Sequence, residues 1–71
     1  MAMQVAFHER GNVRIEVERA PHPFTGWWRA RVVGGRTWSV PTALPWAYGA
    51  GDARAVDAAL ALWIHAGKPG Q

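Results

Sequence analysis

The sequence predicts an α+β fold: an antiparallel sheet of about four strands, built as two hairpins, with one C-terminal α-helix packed on one face. Three observations lead there. Val13, Ile15 and Val17 alternate with Arg14, Glu16 and Glu18, which is the period of two of a half-buried strand. Gly34-Gly35 separates two short runs rich in Val, Trp and Arg, and glycine supplies the positive φ that tight hairpin turns demand. Residues 53–66 contain neither Gly nor Pro and carry Val56, Leu60 and Trp63 at i, i+4 and i+7. That spacing draws one apolar stripe along a helix.

In chain order, residues 4–19 read as a hairpin. Met3, Val5 and Phe7 alternate on one side of its first strand, and Arg10-Gly11-Asn12 forms the turn, since Gly and Asn both tolerate positive φ. Residues 20–26 hold Pro21 and Pro23, which lack the N–H a ladder needs. Residues 27–33 read as a third strand and residues 36–40 as its antiparallel return. Residues 41–51, with two Pro and two Gly, read as a wide connection carrying Leu44, Trp46 and Tyr48. Asp52 is expected to cap the helix N-terminus, where its carboxylate also meets the positive end of the dipole. Gly67 and Pro69 should end the helix. The expected core is Val5, Phe7, Val13, Ile15, Val17, Trp28, Val32, Val56, Leu60 and Trp63.

At 71 residues the chain is expected to be one domain and a complete small protein. A chain of this size buries only roughly 60% of its unfolded surface, so a partner or a second copy would stabilise it, and a homodimer is an expected assembly. It has no Cys and no long apolar run, so the expected location is cytoplasmic, with no membrane contact. Net charge is +3, from eight Lys and Arg (seven of them Arg) against five Asp and Glu. A G- and C-rich genome explains such a composition, and so does an anionic partner.

The residues for chemistry are few. His8, His22 and His65 show no metal-ligand spacing, and Ser39 is the only serine, without the glycines of a nucleophile elbow. Gly49-Ala50-Gly51 precedes a helix but lacks the lysine and spacing of a phosphate loop. The expectation is no enzyme, with no catalytic, cofactor or metal site.

Five Trp are the distinctive resource. A core this small can hardly hide all of them, and Trp and Arg lead the residues that anchor interfaces. With Gly34-Gly35 as the central turn residues, strand parity puts Trp27, Arg29, Arg31, Val33, Arg36, Trp38 and Val40 on one face. The candidate partner-binding set is Trp27, Arg29, Arg31, Arg36, Trp38, Trp46 and Tyr48. Such a face suits an acidic protein groove or a single-stranded nucleic acid, and cross-strand stacking of Arg on Trp would explain it with no partner at all.

The segments GWWRARVVGGRTWS and GDARAVDAALALWI resemble the strands and helix of HicB-type antitoxins, in which a Gly-Asp pair caps an Ala- and Leu-rich helix on a small antiparallel sheet. The acidic, proline-marked loop of that family and its appended DNA-binding segment have no counterpart here, so the resemblance implies a sheet-plus-helix fold. The function expected from size and class is non-enzymatic binding of another protein, as a regulator, an inhibitor or a phage-encoded blocker of host defence. The alternative is a small nucleic-acid-binding module using the same face.

Overall fold

The computed structural model describes residues 5–71 and has four strands, β1 (Ala6–Arg10), β2 (Val13–Arg19), β3 (Trp28–Gly35) and β4 (Ala47–Gly49), followed by helix α1 (Asp52–His65). The strands form one antiparallel sheet in the order β1-β2-β3-β4, and α1 lies over β2, β3 and β4. The fold is α+β, as the alternation and the helical stripe predict.

The first hairpin turns at Gly11 (φ 61°) and Asn12, pairing Arg10 with Val13. Glycine at the first central position suits the primed turn whose twist matches the strands. This register sets Ala6, His8 and Arg10 opposite Val17, Ile15 and Val13, and Phe7 opposite Glu16. Ile15 and Val17 face the helix and are fully buried. Phe7 therefore lies on the other side of the sheet, and both it and Val5 are exposed. Two expected core residues are thus surface residues; Met3, expected to alternate with them on the same side of the strand, lies outside the described residues.

The second turn also differs from expectation. Gly34 and Gly35 belong to β3, and the turn is Arg36-Thr37, with the Gly35 N–H donating to the Trp38 carbonyl (2.9 Å). The return is a single bridge from Gly34 to Ser39. The fourth strand comes later, at Ala47–Gly49, within the stretch read as a connection. A bulge accounts for the facing of this turn. Ile15 pairs with Val32 but Arg14 pairs with Gly34, leaving Val33 without a partner on β2. The extra residue reverses the alternation, so Gly35 sits opposite Val13 on the helix side and takes Trp38 with it.

The helix begins one residue earlier than expected: Gly51 is the N-cap and Asp52 the first helical residue, its Oδ1 accepting from the Ala53 N–H (2.8 Å). At the other end the Gly67 N–H donates to Ile64 (3.0 Å) and the Lys68 N–H to Trp63 (2.9 Å). With Gly67 at φ 89°, this is a Schellman closure. The buried side of α1 is Ala55, Val56, Ala59 and Trp63, with Leu60 half-buried beside it. Small residues on both layers bring them close, because Ala30 and Ala59 are buried and the Ala55 backbone crosses directly over Gly49. Trp38 completes this core by stacking on Trp63, with centroids 5.7 Å apart and planes 10° from parallel.

Candidate protein-binding face

Alternation leaves the second face of the sheet without a helix. It carries Phe7 and Glu9 from β1, Arg14, Glu16 and Glu18 from β2, and Arg29 and Arg31 from β3, in paired positions. Tyr48 of β4 pairs with Arg29, and Trp46 extends the same alternation.

Charge on this face is arranged as pairs. Glu18, buried, accepts from Arg29 Nε (2.8 Å) and from Arg29 Nη2. Arg31 Nη2 stands 3.6 Å from Glu16 Oε1, and Arg14 Nη2 stands 3.7 Å from Glu9 Oε1. Removal from water works against the charge on Arg29, but Glu18 and the Tyr48 hydroxyl outweigh it and raise its pKa above the ordinary arginine value. The two guanidinium groups also sit against Trp46, at 4.1 Å (Arg29) and 4.2 Å (Arg31) from its ring centroid. Contacts of this kind contribute about 0.5–2 kcal/mol each, the more so as they lose water.

Aromatic rings surround this ionic lattice. Phe7 is 58% exposed, Phe24 50%, Trp27 49% and Tyr48 40%. Phe24 reaches the face from the loop before β3 and packs against Tyr48 (centroids 5.2 Å). The Ala20 N–H donates to the Trp27 carbonyl (2.9 Å), so the β2–β3 register runs on to Trp27 and puts it on the Arg29 side. No family model, no curated protein and no solved structure matches the chain.

Of the seven candidate residues, five meet here: Trp27, Arg29, Arg31, Trp46 and Tyr48. The arginines and Trp46 are largely covered, and the free surface belongs to Trp27 and Tyr48. Trp38 does not join them, since the bulge sends its ring to the helix side. Arg36 is exposed at the second turn, beyond the lattice, where it borders a cleft of about 210 Å³ with Glu9, Asn12 and Arg14. Phe7 and Phe24 belong to the face and were missing from the set. The first had a signal in the sequence, because a two-residue turn at Gly11-Asn12 places Phe7 opposite Glu16. Phe24, in a proline-flanked loop, had none. Among the described residues no three His, Asp or Glu stand together as metal ligands, and no helix is long and apolar enough to cross a membrane.

Proposed function

We propose that this is a non-enzymatic binding protein that docks on another protein through the helix-free face of its sheet, with regulation or inhibition of that partner as the consequence. The observation that carries this reading is the group of four aromatic residues, each 40% exposed or more, on one side of the sheet. Exposed aromatic surface framed by polar groups is the usual anatomy of a protein interface. A phosphate backbone is served less well, because Glu18 and Glu16 already engage the arginines that would meet it.

The test is capture of a polypeptide from the native cell extract on immobilised protein, with nuclease present. Trp27→Ala and Tyr48→Ala should each weaken capture by about 2 kcal/mol, roughly 30-fold, with melting temperatures close to wild type. Capture abolished by nuclease assigns the face to nucleic acid. Sedimentation that shows a dimer dissociated by Trp27→Ala assigns it to a second copy of the chain.

A further inference from the structure

The two edges of the sheet are finished differently. Strand β4 is three residues long, and Pro45 stands two positions before it, so that edge offers little ladder to an incoming chain. Strand β1 is the other edge, five residues long with neither Pro nor Gly among them. Ala6, Phe7, Glu9 and Arg10 are exposed and His8 is half-buried. Helix α1 lies over β2, β3 and β4, and among the described residues β2 alone pairs with β1. Charged side chains guard many natural edges. Here both are drawn to groups of their own chain, Arg10 to Asp57 at 3.1 Å and Glu9 to Arg14 at 3.7 Å.

Two observations fix which main-chain groups face outward. The Ala20 N–H donates to the Trp27 carbonyl, continuing the β2–β3 register. Main-chain groups alternate in direction along an antiparallel strand, so Glu16 and Glu18 turn theirs toward β3, and Val13, Ile15 and Val17 turn theirs toward β1. The two-residue turn agrees, since the residues flanking such a turn, here Arg10 and Val13, form a hydrogen-bonded pair. Ala6, His8 and Arg10 therefore bond to β2. The N–H and C=O groups of Phe7 and Glu9, and of Val5 just before the strand, face away from the sheet.

We propose that β1 pairs antiparallel with β1 of a second copy, about a two-fold axis at Phe7, joining the two four-stranded sheets into one. The strand is complementary to itself in that register. Residues 5, 7 and 9 of one copy meet residues 9, 7 and 5 of the other, so every outward main-chain group gains a partner, and Ala6 stands opposite His8. The 58% exposed Phe7 ring then lies against its counterpart. An axis at Glu9 would oppose two carboxylates, and an axis at His8 would set Val5 against Gly11 in the turn. One short strand from each copy makes a small contact, so the pairing is weak, with a Kd of about 0.1–1 mM. The chain is then monomeric at the micromolar concentrations of a melting experiment. This inference goes beyond the protein-partner reading and does not depend on it.

The test is sedimentation of the whole chain from about 10 μM to about 1 mM, a span that brackets such a Kd, with amide chemical shifts followed over the same range. The average mass should rise toward that of a dimer, and the shifts should centre on Val5, Phe7 and Glu9. Phe7→Lys and Phe7→Glu change an exposed side chain and should melt as wild type does. Each alone sets like charges opposite one another across the axis and should weaken self-association by about tenfold or more. An equimolar mixture of the two sets Lys opposite Glu and should recover the dimer, which only a register with residue 7 facing residue 7 explains. Trp27→Ala, on β3 and away from the edge, should leave association unchanged. A monomer at every concentration, a dimer indifferent to Phe7→Lys, or a mixture that stays monomeric would overturn the proposal. So would a dimer dissociated by Trp27→Ala, which assigns the contact to the open face instead.

Discussion

Two residues decide how the loop after β3 is tied to the helix. Trp38 stacks flat on Trp63, and the space for its indole exists because Gly35 has no side chain: a Cβ there would collide with the Trp38 ring nitrogen. Trp38→Ala should therefore destabilise by about 3–5 kcal/mol, as emptying a packed aromatic site does. Gly35→Ala should destabilise by about 1–3 kcal/mol through overpacking alone. Urea unfolding of both variants checks this, and an unchanged midpoint for Trp38→Ala would place its ring outside the core. Glu18 is a second such residue. Glu18→Gln leaves the Arg29 charge uncompensated in a covered site and should lower stability by about 3 kcal/mol. Glu9→Gln, at an exposed pair, should change it by less than about 1 kcal/mol. Arg29 holds its proton more tightly folded than unfolded, so its own contribution is intact at neutral pH and is lost only as the pH rises past the arginine range.

At the scale of elements, the helix and β1 make opposite predictions from similar apolar patterns. Trp63→Ala should cost about 3–5 kcal/mol and half-buried Leu60→Ala about 2 kcal/mol, whereas Phe7→Ala should stay within about 0.5 kcal/mol. Thermal melts of the three variants would rank them, and a large loss at Phe7 would mean that the open face is packed in solution. The contrast marks what the sequence disclosed. Strand β2 and helix α1 were legible because one side of each is charged or small and the other apolar, so the period names the face. The first hairpin arm is apolar at Val5, just before β1, and at Phe7 within it, yet both lie on the open side, and only the turn register separates the two cases. Strand β4 was illegible, because three residues, Ala47-Tyr48-Gly49, are too few to show a period and stand among prolines and glycines. The face of Trp38 was hidden by the bulge. Nothing in Val32-Val33-Gly34-Gly35 says which residue the ladder will skip.

As a whole, the molecule is two layers thick, and its buried cluster lies entirely between sheet and helix. The last residues close one end of that cluster: the Trp63 indole N–H donates to the Pro69 carbonyl (3.1 Å), and Gly70 packs against Ser39 and Trp38. The other side of the sheet is left to its ion pairs and aromatic rings, and the proposed contact with a partner protein lies there. The skipped residue has a consequence for edits of chain length. Removing one residue from the middle of a strand ordinarily turns every later side chain to the wrong side. At Val33 it should not, since the shortened strand would run directly from the Ile15–Val32 pair to the existing Arg14–Gly34 and Val13–Gly35 pairs. A protein lacking Val33 should still melt cooperatively with Trp38 against the helix, whereas one lacking Ala30 should fail to fold. The same strand would thus be indifferent to its length at one position and intolerant of any change three residues away.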